Sequence, residues 1–328
     1  MPHRNCSACN RSLWRGSYSR NQWSKGEGCS RCHSCVNSGS WSNNGRNNNN
    51  NNNINVDDVL ERLRLEMARM KLDRIVKRDQ TVRRNNATRA TFTRYALDHP
   101  FASGSFRWVA KGVYTEGFRT GEDCVCKWFK TGGVLESSFF DADLKTVQKA
   151  LELIAEWNVS EFVNKIVKIN KPEVWTFSDD SGYQWAGKKV LQEPFIQNYQ
   201  KFNSNTGWAD DSIPWARVMQ ALSHYTYDAS NGTCLVCDLQ GGVYSDGVVL
   251  TDPVVMSIDR SYGPTDLGIK GMHSFFANHK CNEFCRSAWK KIVSPICYHE
   301  ANEGTSMEYV PTRHSRPKMS MAMGAIYE

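Results

Sequence analysis

The chain has 328 residues, of which 40% are hydrophobic and 23% charged, with a formal net charge of +7. That length can bury at least one sizeable core, but no run reaches the roughly 18 apolar residues of a membrane span, and residues 1–10 lack the apolar stretch of a signal peptide. A cytoplasmic protein without membrane partners is therefore expected, and its twelve cysteines read as thiols or metal ligands rather than disulfides.

Residues 1–55 carry Cys6, Cys9, Cys29, Cys32 and Cys35, followed by an unbroken asparagine run over 47–53. Such a polar tract cannot bury enough apolar surface to offset its ordering entropy, so this Cys-rich and Asn-rich segment is expected to be largely disordered. The spacings Cys6-x2-Cys9 and Cys29-x2-Cys32, with Cys35 three further on, also suit the two knuckles of a small zinc site. Free thiols in a polar tail and zinc ligands both stay open at this level.

From Val56 to Gln80, Leu60, Leu63, Met67 and Met70 recur at spacings of three and four, with Asp57 and Asp58 at the start and Lys77 and Arg78 at the end. The pattern predicts an amphipathic helix whose end charges complement its macrodipole. Packing on the next domain or self-association is the expected use of its apolar face, with a calmodulin-type partner as the alternative. Positive charge is densest between Arg62 and Arg94 and mixes with acid elsewhere, which argues against nucleic acid as a partner.

A globular domain is expected over 81–293. Residues 105–115 and 122–130, rich in aromatic and β-branched side chains, predict two strands of a hairpin or meander. The stretch 141–167 then reads as a helix with Leu144, Val147, Ala150, Leu151 and Ile154 on one face, leading to strand-like runs at 173–177 and 189–195. A second helix opens near Pro214 and turns Val218, Leu222 and Tyr225 inward. With short strands and a mostly helical end after it, this order predicts two lobes in an α+β protein. Residues 294–328 read as a polar tail, and their hydroxyls, like those over 83–95, are candidate autophosphorylation sites beside basic residues.

Three groups of residues carry chemistry. Two strand-like runs end at Asp238 with Gln240 and at Asp252 around a glycine-rich turn. If these runs pair, their oxygens converge as hard ligands suited to Mg²⁺; ordinary turn residues are the alternative. Lys127 lies inside an otherwise apolar strand, where its ammonium calls for an anionic partner such as a phosphate, unless it faces solvent on an edge strand. His279, Cys281 and Cys285 form H-x-C-x3-C. If Cys281 starts a helix, Cys285 lies one turn on, and His224 would complete a closed tetrahedral zinc site, although a lone histidine on an apolar helix is also a common core residue.

The segments PFASGSFRWVAKG, CVCKWFK, KFNSNTG, ALSHYTYDASNGTCLVCDLQG, LTDP, YGPTDLGIKGM and HKCNEFC, in this order between about Pro100 and Arg286, resemble the atypical α-kinases, the family of elongation factor 2 kinase and myosin heavy chain kinase. The resemblance implies a two-lobed kinase-like fold, with the amino-terminal lobe reaching about residue 195, ATP in the cleft and a structural zinc in the carboxyl-terminal lobe. It implies that Lys127 holds the α/β phosphates, that Arg107 lies in the phosphate-covering strand region and that Glu193 lies at the adenine hinge. Asp238 would orient or deprotonate the acceptor hydroxyl, Gln240 and Asp252 would hold Mg²⁺, Lys201 would reach toward the catalytic loop, and His224, His279, Cys281 and Cys285 would bind zinc. The implied reaction is transfer of the γ-phosphate of Mg-ATP to Ser or Thr, with Thr preferred, of a protein substrate such as a translation elongation factor or a myosin-type tail, and autophosphorylation could accompany it. One departure stands out: the loop over 263–268 has Thr265 where the family pattern has its middle glycine, which bears on how that loop meets peptide or nucleotide. The competing reading is a zinc-stapled, non-catalytic scaffold or RNA/protein-binding module, which has no use for Lys127, Asp238 and Asp252 together.

Overall fold

The computed structural model describes residues 3–37, 56–210 and 212–308. The asparagine run and the tail beyond 308 lie outside the described residues, so the expectations for them rest on sequence. The chain divides into two compact units, Met1–Leu65 and Glu66–Glu328.

In the first unit, strands β1 (His3–Asn5) and β2 (Ser12–Trp14) pair antiparallel, and helices α1 (Arg20–Trp23) and α2 (His33–Asn37) follow. Cys6, Tyr18, Cys32 and Cys35 are buried together, with Leu13 and Trp23 packed on them. The expected disorder is thus corrected for residues 3–37. An apolar count undervalues thiols, which pack as small hydrophobes.

Helix α3 (Val56–Gln80) has the predicted bounds but not the predicted face. Leu63, Leu65, Met67, Met70, Leu72 and Ile75 are all exposed. At 100° per residue, Leu65 and Leu72 fall opposite the stripe of Leu63, Met67 and Met70, so the apolar positions spread around the helix instead of forming a single face. Its last turn is anchored through Lys77 to Glu161 and Arg78 to Glu156.

The second unit is built on two larger sheets and a separate two-stranded one. Strands β3 (Val82–Arg83), β4 (Ala87–Thr91), β5 (Ala102–Ser103), β6 (Arg107–Gly117) and β7 (Asp123–Phe129) come first, with the short helix α4 (Arg94–Asp98) after β4. Helix α5 (Asp141–Ser160) leads to β8 (Ile166–Asn170), β9 (Glu173–Thr176), β10 (Lys189–Pro194) and β11 (Tyr199–Lys201). The order β4-β6-β7-β10-β9, with β5 beside β6, makes an antiparallel sheet. Helix α6 (Pro214–Ala229), β12 (Cys234–Cys237), β13 (Gln240–Tyr244), β14 (Gly247–Leu250), β15 (Val254–Ser257) and α7 (Gly268–Asn278) complete the unit. The second sheet, β11-β13-β14-β8-β3, is mixed, because β8 runs parallel to both β14 and β3. Val147, Leu151, Ile154 and Trp157 of α5 share a core with Val167 and Ile169 of β8, Leu222 of α6 and Leu250 of β14. The architecture is α+β. No helix of the described residues is long and apolar enough to cross a membrane.

Three local expectations need correction. The helix predicted through 167 stops at Ser160, where Glu161 turns left-handed at φ 52°, and Ile166–Asn170 is a strand. Asn158 holds that reversal: its side-chain amide donates to the Val167 carbonyl at 2.8 Å and its oxygen accepts from the Val167 amide at 3.0 Å. Second, the run before Asp238 does not pair with the run before Asp252; β12 pairs with β15 beyond it, Cys237 opposite Val254, while β13 and β14 form their own hairpin. Third, α7 ends at Asn278 and Cys281 starts no helix; Cys285 instead closes a turn onto the Asn282 carbonyl at 3.0 Å.

Candidate active site

Lys127 sits near the end of β7, opposite Leu191 of β10, so Glu193 two residues further along β10 falls on the same face as its diagonal neighbour. Its ammonium lies 2.8 Å from Glu193 and 2.7 Å from Asp252, and it donates to the Thr251 hydroxyl at 3.0 Å. Thr251 in turn donates to Glu193 at 2.5 Å, and the Asn170 amide reaches the same carboxylate at 3.2 Å. Lys127, Glu193, Thr251 and Asn170 are buried and each has partners, the condition under which such a network is tolerated, while the Asp252 side chain stays 42% exposed at the cleft. Burial works against the lysine charge, but Asp252 and Glu193 outweigh it and raise the Lys127 pKa. Lys127 and Arg107 hold the partly exposed Asp252 carboxylate below its ordinary range. Glu193, expected at an adenine hinge, therefore turns its carboxylate to the lysine.

Asp238 and Asp252 each close a strand-to-strand connection in the left-handed region, at φ 56° and 46°. Aspartate tolerates this conformation better than most residues, and such strain gathers at functional sites. The β12–β15 ladder brings the two together from the far ends of a hairpin, since Cys237 and Val254 face each other and their next residues outward are Asp238 and Pro253. The Gln240 amide bridges them, donating to the Asp238 carboxylate at 3.3 Å and lying 3.5 Å from the Asp252 carbonyl. Lys201 of β11 sits 2.9 Å from Asp238, and the Thr305 hydroxyl donates to Asp238 at 2.8 Å. Burial pushes the Asp238 carboxyl up from its ordinary range, and Lys201 opposes it.

These groups line a cleft of about 760 Å³ between the two sheets, walled by Phe101, Val109, Leu191, Phe195 and Ile196. A cavity of this volume and lining suits a nucleotide-sized ligand. At its rim Arg107 pairs with Asp143 of α5 at 2.6 Å and stacks over Phe129. The loop over 263–268 forms another wall, and Asp266 holds its shape by accepting from the amides of Ser257 at 2.8 Å and Gly268 at 2.9 Å. Thr265 sits there with its carbonyl bonded by Asn205 at 2.9 Å.

Away from the cleft, His224, His279, Cys281 and Cys285 place one ligand atom each within 4.8 Å of one another. The His224 Nδ1 to Cys281 Sγ and His279 Nε2 to Cys285 Sγ separations are both 3.7 Å, near the roughly 3.5–3.8 Å edge of a tetrahedron with ordinary Zn–N and Zn–S bonds. The Lys290 carbonyl lies 3.0 Å from the other ring nitrogen of His224, the outer contact that fixes a ligating imidazole. The donor set therefore fits zinc. In the first unit a second set closes, but from Cys6, Cys9, Cys32 and Cys35. Cys29, expected as a partner of Cys32, is exposed and outside it.

The structure thus brings Lys127, Glu193, Asp238, Gln240, Asp252, Lys201 and Arg107 to one cleft and the four zinc candidates to one point. Sequence reading misses Thr251, Asn170 and Asp143, and it names Thr305 only among the tail hydroxyls, with no place in the cleft. Thr251 stood beside Asp252 and offered a signal; Asn170, Asp143 and Thr305 are brought in only by the chain's folding.

The alpha-kinase family model matches residues 102–285. Among individual proteins, the chain is 43% identical over 104 residues to alpha-protein kinase vwkA of Dictyostelium discoideum, covering 31% of this chain and 16% of that protein. It is 30% identical over 201 residues to alpha-protein kinase 1 of the same organism, covering 60% and 14%. The chain thus spans about a sixth or less of the length of these relatives. Its fold is similar to the inactive alpha-kinase domain of myosin-II heavy chain kinase A complexed with ATP, with a TM-score of 0.51, 22% identity and coverage of 60% of this chain and 87% of that one. An alpha kinase from Entamoeba histolytica is similar with a TM-score of 0.50, 24% identity and coverage of 64% and 82%.

Proposed function

The chain belongs to the alpha-kinase family, and from that premise we propose that it is a protein serine/threonine kinase that transfers the γ-phosphate of ATP to a hydroxyl, with threonine preferred. The observation that carries this reading is the convergence of Lys127, Asp238, Gln240 and Asp252 on one cleft. Phosphoryl transfer asks little covalent chemistry of a protein; it asks for position and charge neutralisation.

In this reading the apolar walls take the adenine, with any hinge contact from Glu193 made by its backbone. Lys127, fixed by Glu193, faces the α/β phosphates, and Arg107 stands at the rim against the same charge. Gln240 and Asp252, oxygen donors on the cleft wall, would hold Mg²⁺, which when bound offsets phosphate charge. Asp238 orients the acceptor hydroxyl and takes its proton, and the neighbouring Lys201 favours its ionised form against the effect of burial. His224, His279, Cys281 and Cys285 would hold a structural zinc that ties α6 to the segment after α7, since a four-residue set leaves no open position for chemistry.

The substrate would be a protein, of the translation-factor or myosin-tail kind that the relatives named eukaryotic elongation factor 2 kinase and myosin heavy chain kinase B suggest. Helix α3, with its exposed leucines, is the segment through which self-association or calmodulin binding would act. A cytoplasmic location accords with this reading.

The test is transfer of labelled γ-phosphate from Mg-ATP to Thr-containing helical peptides, wild type against Asp238→Ala. Loss of the base should lower kcat by at least about 10²-fold. If the folded, zinc-loaded wild type transfers nothing, the scaffold reading takes its place.

A further inference from the structure

The segment 302–308 is bonded along the cleft as a bound peptide would be. The Asn205 side chain brackets Ser306, accepting from its amide at 2.9 Å and donating to its carbonyl at 2.7 Å. Thr206 does the same for Asn302, at 3.0 and 3.1 Å. At the other end the Glu308 amide donates to the Pro264 carbonyl at 2.9 Å, and the Glu308 carboxylate pairs with Arg260 at 3.1 Å. Between these anchors, Gly304 and Thr305 line the cleft, and the Thr305 hydroxyl meets Asp238 at 2.8 Å, within the reach a general base needs.

We propose that Thr305 is an intramolecular phosphoacceptor, and that residues 302–308 occupy the groove for peptide substrates until it is modified. The proposal rests on the kinase reading above. In the step, the Thr305 Oγ forms a bond to the γ-phosphorus of ATP, its proton passes to Asp238, and the bond from the γ-phosphorus to the bridging oxygen breaks with its electron pair leaving on ADP. The resulting phosphate sets like charge against Asp238, which expels the segment and opens the groove.

The 328-residue chain incubated with Mg-ATP at several dilutions, with the phosphosite read by mass spectrometry, tests this. The expected result is phosphate on Thr305 at a first-order rate independent of protein concentration, and a peptide KM that falls several-fold after pre-incubation in wild type but not in Thr305→Val. Phosphorylation of added peptide with Thr305 left unmodified overturns the proposal while the kinase reading stands; no transfer to either acceptor removes both. A rate that rises with protein concentration, or an unchanged KM after Thr305 is modified, also overturns it.

A different observation carries a second inference. In the first unit the sulfurs of Cys6, Cys9, Cys32 and Cys35 lie within 4.8 Å of one another, Cys6, Cys32 and Cys35 are buried, and the Cys32 amide donates to the Cys6 sulfur at 3.3 Å. These cysteines are themselves most of that unit's core, a situation in which small folds depend on a metal. We infer a closed tetrathiolate zinc site here, with Cys29 outside it. In the full chain, Cys9→Ser with Cys32→Ser should lose one equivalent of zinc by native mass spectrometry, and Cys29→Ser should lose none. X-ray absorption of wild-type zinc should count about three sulfurs per ion when this site and the His2Cys2 site are both filled. Zinc content unaffected by the double substitution, loss of zinc in Cys29→Ser, or about two sulfurs per ion overturns the inference.

Discussion

Asp238 illustrates how one residue sets opposing demands. Burial raises its folded-state pKa while Lys201 at 2.9 Å opposes the rise. A carboxyl whose folded pKa lies above its unfolded value contributes stability at low pH, and that contribution is lost as pH rises through the folded value. In the proposed reaction Asp238 would act as a base in the opposite, ionised form. The acid limb of kcat/KM for peptide phosphorylation should therefore lie above the ordinary aspartate range, and Lys201→Met should move it further up. A limb in the ordinary range that ignores Lys201→Met would show that Asp238 is not the titrating base. Lys127 is set the other way, with two carboxylates favouring its charged form over the pull of burial. Removing it would leave Glu193 buried without its cation, a loss of about 3–5 kcal/mol in comparable pairs.

At the scale of elements, strand contacts decide which positions admit a side chain. Gly247 starts β14 at φ 151°, and a Cβ there would lie 1.9 Å from the Ile166 carbonyl oxygen of β8. Gly121 also has positive φ, at 86°, but open space around it. Gly247→Ala should thus destabilise the fold by about 2–4 kcal/mol, through clash in addition to backbone strain, and Gly121→Ala by less. Urea denaturation of the two variants checks this; equal midpoints would mean that the β14–β8 contact yields freely. The same strand β8 explains why α5 ends before the helical spacing of the sequence does. Val163 and Val167 continue a helical spacing, but the alternation of Val167 and Ile169 into the core and the Asn158 bonds to Val167 reward a strand beside β14. Local periodicity cannot see a parallel neighbour that arrives some eighty residues later.

For the whole molecule, the sequence by itself determined the α+β class, the bounds of α3, the start of α6, the β6–β7 pair, and the chemical types at Lys127, Asp238, Gln240, Asp252 and the H-x-C-x3-C run. These are local signals of propensity, periodicity and spacing, or residue types whose burial needs a partner. Which partner was a matter for the tertiary structure. It paired β12 with β15, not with β14, and turned Glu193 to Lys127. It closed the amino-terminal thiol cluster with Cys35 in place of Cys29, and brought Thr305 across 67 residues of sequence to Asp238. Each of these is a contact between segments distant in the chain, fixed by how sheets and loops pack in three dimensions, and no spacing along one sequence encodes it.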